Sequence, residues 1–193
     1  MKITIKTLSA GLLILIAFVL LNTLTHNPSQ SQNLDRVNIS INEDRAVSNL
    51  SKSIEFKTIS NQLASEKNLK EFDSFIMWLK NTYKLVSENT SLQTFNETLL
   101  FRWEGEDKSL QPILLTGHYD VVPVIPGTED KWEEPPFSGK VDSEYIWGRG
   151  ALDDKSGVIG ILEAVTYLME KGFQPKRTVY LSFGHDEEIG GVN

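Results

Sequence analysis

His118-Tyr119-Asp120 closes one apolar run of this chain, and Asp186-Glu187-Glu188 closes another. Between them lies Gly148-Arg149-Gly150-Ala151-Leu152-Asp153-Asp154-Lys155. Three clusters of imidazole and carboxylate thus fall where strands should hand over to loops. An open α/β sheet builds its sites there, outside the carboxyl ends of its strands. One imidazole with several carboxylates, in a chain with no cysteine, is an N/O ligand set suited to a hydrolytic metal centre.

Each cluster has its own logic. On an extended backbone residues i and i+2 point the same way, so Asp120 can hold the far imidazole nitrogen of His118. Metal-bound histidines usually have such a carboxylate behind them. Asp153 and Asp154 sit between a glycine turn and a helix start. Asp154 is placed to cap the helix, which leaves the other carboxylate aimed at the sheet edge, able to bridge two cations. Glu187 and Glu188 repel each other if both are ionised in a confined site, and a cation relieves that cost. One of the two can bind metal while the other takes a proton from an activated water. His185 and Asp186 read as satisfied neighbours rather than ligands.

The elements that must position these groups are legible in outline. Residues 43–53 are expected to form a first helix, and Ile54 to Ile59 a half-buried extended piece. Residues 66–83 form an amphipathic helix, with Leu69, Phe72, Phe75, Ile76, Leu79 and Tyr83 on one face. Leu92 to Glu104 alternates like one or two strands, turning at Glu104-Gly105-Glu106-Asp107. Pro112 to Val122 carries Ile113-Leu114-Leu115, a run typical of a central buried strand. A loop covers 126–140, a short hairpin arm 141–147. Residues 155–171 form a second helix that buries Val158, Ile161, Leu162, Val165 and Leu168 and stops at Gly172. Arg177 to Phe183 is a second buried strand. Strand, crossover helix, strand predicts an open, mostly parallel, twisted α/β sheet with flanking helices.

The chain has 193 residues, 40% hydrophobic and 23% charged, with a net charge of -7. That is ordinary globular composition. No basic stripe appears, which argues against a nucleic-acid partner. At the amino end Lys2 and Lys6 precede an apolar stretch from Leu8 to Leu21, and no acidic residue follows until Asp35. Residues 1–25 therefore read as a signal peptide or signal anchor, and 26–42 as a polar tether. Either form puts the rest of the chain outside the cytoplasm, secreted, periplasmic or membrane-anchored. Asn-x-Ser/Thr triplets at Asn38, Asn49, Asn89 and Asn96 matter only where exported proteins are glycosylated.

The three clusters together resemble the co-catalytic zinc peptidases and amidohydrolases, a family that includes aminoacylase, succinyl-diaminopimelate desuccinylase and carboxypeptidase S. The likeness rests on Leu115-Thr116-Gly117-His118-Tyr119-Asp120-Val121-Val122-Pro123 and on Trp147-Gly148-Arg149-Gly150-Ala151-Leu152-Asp153-Asp154-Lys155. Trp132-Glu133-Glu134-Pro135-Pro136-Phe137-Ser138-Gly139 and Phe183-Gly184-His185-Asp186-Glu187-Glu188-Ile189-Gly190-Gly191 look most like the carboxypeptidase S branch. That branch includes a secreted enzyme that makes and cleaves N-fatty-acyl amino acids.

The resemblance implies that His118 binds one zinc ion, Asp153 bridges two, and Glu188 binds the other. It also implies that Glu187 is the general base and that Asp120 orients His118. The substrate would be a small peptide or an N-acyl amino acid, cleaved at its amide bond. The family also uses a later acidic ligand, a late histidine and an inserted lid domain that dimerises. None of these is found up to Asn193, and His26 lies in the tether. Residues 43–193 are therefore expected to be the first part of a catalytic domain, holding three of five ligands and inactive alone. The rival readings are a non-catalytic metal- or peptide-binding homologue and a single-metal enzyme of another fold.

Overall fold

The computed structural model describes residues 5–26, 39–63 and 68–191. They fall into two units, residues 1–39 and residues 40–193. Lys2, Asp35, the Asn38 triplet, most of the expected tether and the start of the expected 66–83 helix lie outside the described residues.

The first unit holds helix α1, Ile5–Thr25. Its residues Thr7–Thr25 are long and apolar enough to cross a membrane. The helix runs beyond the apolar stretch because its last polar side chains turn inward. Thr23 Oγ1 donates to the Val19 carbonyl at 2.9 Å and Thr25 Oγ1 to the Leu21 carbonyl at 2.7 Å. Such back-bonding hides a hydroxyl within the helix's own backbone.

In the second unit, helix α2 spans Glu43–Ile54, and Asn42 caps it by accepting the Arg45 amide at 3.0 Å. Helix α3 spans Leu69–Thr82 and buries Phe72, Phe75 and Leu79. The sequence pattern ends at Tyr83, but a short helix α4, Lys84–Asn89, follows. Tyr83 breaks the two apart, and its phenol is buried against Glu163 at 2.8 Å and Asn49 at 3.2 Å. The expected extended piece at 54–59 is reduced to one bridge, Ile59 to Val121, because Ile54 still belongs to α2.

The sheet has the order β1-β2-β4-β3, with β1 Ser91–Phe95, β2 Thr98–Trp103, β3 Ile113–His118 and β4 Val179–Gly184. The fold is α/β as expected, but among the described residues the sheet is mixed rather than mostly parallel. β1–β2 and β2–β4 are antiparallel; β3–β4 is parallel. The hairpin turns at Asn96-Glu97, with Asn96 at φ 50°, and not at 104–107. There Glu106 and Asp107 donate their amides to Pro175 and Lys176 carbonyls instead.

Among the described residues β3 pairs with β4 alone. Ile113, Leu114 and Leu115 are 43%, 60% and 37% exposed. An apolar run reports that a strand can be buried; it does not report how many neighbours it has. Helix α5, Lys155–Glu170, crosses between β3 and β4 and buries Val158, Ile159, Leu162 and Val165. Gly172 follows at φ 70°, the left-handed stop expected there.

The core lies between this sheet and helices α3, α4 and α5. Phe75 sits near its centre, fully buried, with its ring stacked on Tyr119 at 4.5 Å and edge-on to Phe56 at 5.7 Å. Phe75→Ala is expected to cost roughly 3–5 kcal/mol, read as a lower urea midpoint with unchanged slope.

Candidate metal centre

The parallel pair sets the site. β3 and β4 end side by side, with His118 in register with Gly184. One further bond, the Tyr119 amide to the Gly184 carbonyl at 3.0 Å, carries the pairing past the strand ends. His118 is buried at that edge and Asp120 is fully buried behind it.

Asp120 touches more than the sequence foretold. His118 Nδ1 lies 3.2 Å from the Asp120 carbonyl and 3.3 Å from its Oδ1. The same carboxylate accepts the backbone amide of Glu187 at 3.2 Å and of Glu188 at 3.1 Å. One buried anion thereby fixes both the imidazole and the start of the Glu187–Ile189 turn.

Asp153 approaches from the other side. Its Oδ1 is 3.0 Å from His118 Nε2, and its side chain is 76% exposed. The Asp153-Asp154 peptide is cis. Asp154 occupies the N-cap position of α5 but makes no capping bond from its side chain. Its Oδ2 instead accepts the His118 amide at 3.3 Å. Gly117 and Gly157 leave room for it, since a Cβ at either would stand 2.9 or 2.3 Å from an Asp154 carboxylate oxygen.

One donor atom each from His118, Asp153 and Glu188 lie within 4.8 Å of one another. Zinc binds such donors at about 2.0–2.2 Å in tetrahedral geometry, so two ligands of one ion stand roughly 3.5 Å apart. The donor chemistry fits a cation, and the 3.0 Å between His118 Nε2 and Asp153 Oδ1 is within that span. Glu187 reaches the same edge, with Oε2 at 3.6 Å from His118 Nε2 and a 63% exposed side chain. A cavity of about 350 Å³ opens beside them, lined by His118, Asp154, Asp186 and Glu187.

His185 faces away. Its Nδ1 lies 2.7 Å from Thr98 Oγ1 and its Nε2 3.4 Å from Glu97, so it serves the β1–β2 hairpin. Asp186 accepts the amides of Ile189 and Gly191 through its carbonyl. Lys155, which the sequence placed only at a helix start, is fully buried, and burial lowers its ammonium to about 7.

Charge at the site favours a cation. The hydrogen bond to Asp120 raises the His118 imidazole to about 9, against the opposing effect of burial. Burial, then the Asp153 carboxylate, push the Glu188 carboxyl above its ordinary value. Burial works against ionisation of Asp120 too. The His118 hydrogen bond and the Glu188 amide nevertheless hold its carboxyl below the usual range.

Residues 114–193 match the profile of peptidase family M20/M25/M40. They belong to that family. The chain is 41% identical over 201 residues to a probable carboxypeptidase S-like 2 protein of Dictyostelium discoideum, covering 100% of this chain and 38% of that protein. It is 36% identical over 192 residues to the N-fatty-acyl-amino acid synthase/hydrolase PM20D1 of Xenopus tropicalis, covering 94% of this chain and 36% of that protein. A solved M20 family metallo-carboxypeptidase of Sulfolobus solfataricus, Sso-CP2, superposes with a TM-score of 0.62 at 26% identity, over 77% of this chain and 32% of that one. Human carnosine dipeptidase 1 shares the fold at a TM-score of 0.64 and 20% identity, over 78% of this chain and 33% of that one. The chain thus spans little more than a third of the length of these curated relatives.

Metal uptake should follow the His118 proton. Raised from 6.5 to about 9, this group stabilises the metal-free fold fully below pH 6.5, and that contribution is lost as pH rises through about 9. Zinc must displace the proton, so its affinity is expected to rise about tenfold per pH unit between 6.5 and 8.5. Chelator competition at several pH values measures the slope.

Proposed function

We propose that this chain is the first part of the catalytic domain of a zinc-dependent amide hydrolase that works outside the cytoplasm. Its substrate is a small peptide with a free C-terminus or an N-acyl amino acid. The observation that carries the reading is the convergence of His118, Asp153 and Glu188 at the ends of the only parallel strand pair among the described residues. The carboxypeptidase S-like and N-fatty-acyl-amino acid relatives support the substrate class.

When bound, zinc supplies Lewis acidity that polarises the scissile carbonyl and makes water acidic. His118 would hold one cation and Glu188 the other, and the Asp153 carboxylate, whose Oδ1 faces His118, would serve both. Asp120 fixes the imidazole ring and its tautomer, leaving Nε2 for metal. Glu187 is exposed beside the cavity and takes the proton of the attacking water, then returns it to the leaving amine. Helix α1 acts as signal peptide or membrane anchor. A later acidic residue and a late histidine would complete the ligand set, and an inserted lid domain would pair two copies.

The rival of a non-catalytic homologue is disfavoured by the presence of both Glu187 and Asp153 beside His118. Zinc titration of the complete protein separates the readings: two equivalents for the co-catalytic enzyme, one for a single-metal enzyme, none for a metal-free binding module.

Glu187→Gln in the complete protein should lower kcat by about 10²–10⁴-fold and leave zinc uptake unchanged. Surviving turnover removes Glu187 as the base. The purified 193-residue chain is expected to bind zinc weakly and to show no amidase turnover. Turnover by it alone contradicts the need for later ligands.

A further inference from the structure

Lys155 is the first residue of α5 and two positions past Asp153. Its side chain is fully buried, an expensive place for an ammonium. The Nζ donates to the Ser53 carbonyl at 2.8 Å and the Phe56 carbonyl at 2.7 Å, and lies 5.4 Å from the centre of the Phe75 ring. These carbonyls flank the C-terminal end of α2, where outward carbonyls and the helix dipole favour a cation. The Lys155 amide donates to the Gly150 carbonyl at 3.1 Å, closing the turn that holds Asp153. Gly150 keeps φ 83°, and a Cβ there would stand 2.7 Å from Val121 and 3.3 Å from the Lys155 stem.

The segment that Lys155 grips leads straight to the other side of the site. The Val121 amide donates to the Thr58 carbonyl at 3.0 Å and the Ser60 amide to the Val121 carbonyl at 3.2 Å. Thr58 Oγ1 donates to the Tyr119 carbonyl at 2.6 Å. Residues 58–60 therefore clasp 119–121, the stretch whose Asp120 holds His118 and the amides of Glu187 and Glu188.

We propose that Lys155 is a positioning residue of the metal centre. Its ammonium ties the turn that presents Asp153 to residues 53–60, and through them to the strand end that carries His118 and Asp120. This rests on the metal-centre reading above. A lysine suits the task because it reaches two carbonyls at once from a flexible stem and brings no acceptor of its own. The carbonyls do not depend on it for burial, because the Phe56 and Thr58 amides also donate to them. An apolar side chain of similar length should thus be accepted by the fold but should leave the turn untied.

The test is zinc affinity, by chelator competition, of the complete protein and its Lys155→Met variant, with thermal unfolding of both. Lys155→Met is expected to stay folded and to bind zinc about 10–100-fold more weakly. Residues 1–193 hold no cysteine, and in a cysteine-free background of the complete protein a Lys155→Cys thiol can be aminoethylated while unfolded and then refolded, which rebuilds the ammonium at nearly the same reach. That product should recover the affinity lost in Lys155→Met. Equal zinc affinity in Lys155→Met and wild type overturns the proposal and leaves the metal centre standing. No zinc uptake by wild type overturns the metal centre, and the proposal with it. If Lys155→Met does not fold, hydrogen exchange of wild type with and without zinc decides. Added protection at residues 58–60 as well as 150–155 supports the tie, and protection confined to 150–155 overturns it.

Discussion

A single buried carboxylate organises this molecule. Asp120 faces His118 on one side and two consecutive backbone amides, of Glu187 and Glu188, on the other. Charge-assisted bonds of this kind are the stronger sort, and no solvent competes for a fully buried group. Three further carboxylates, Asp153, Glu187 and Glu188, gather around the same imidazole. Without a counter-ion they repel, and the raised His118 and Glu188 record that pressure. The site holds more negative charge than its own residues can neutralise, which is the condition for taking up a cation.

The fold makes that crowding tolerable by dividing the work among rigid pieces. Histidine and its carboxylate come from the end of β3, the two glutamates from the end of β4, and Asp153 from the start of the helix that joins them. Asp154 completes the joint by binding the His118 amide rather than the helix it precedes. Lys155 and the 53–60 segment close the frame from behind.

A second feature stands apart from the chemistry. Arg45 and Asn49 of α2 meet Glu163 of α5 at 2.7 and 2.8 Å, and the Tyr83 phenol joins them. Burial, then the Glu163 carboxylate, raise that phenol well above its ordinary value. This network fixes α2 on α5 along their length, while Lys155 fixes them at the site end. It also places the Asn49 amide inside a hydrogen-bonded cluster, unlike the exposed Asn89 and Asn96.

The sequence by itself determined the local matters. Periodicity placed α2, α3, α5 and β4 to within a few residues, and the runs of acid and imidazole marked three strand or helix ends. Those signals are carried by neighbours along the chain. Tertiary structure decided what depends on neighbours across it. It turned the hairpin at Asn96, broke α3 at Tyr83, and withdrew Asp154 from its expected cap. It also gave Asp120 its two glutamate amides and Lys155 its two carbonyls. Such bonds join residues dozens of positions apart, and the identity of a donor's partner is not written in the residues beside it.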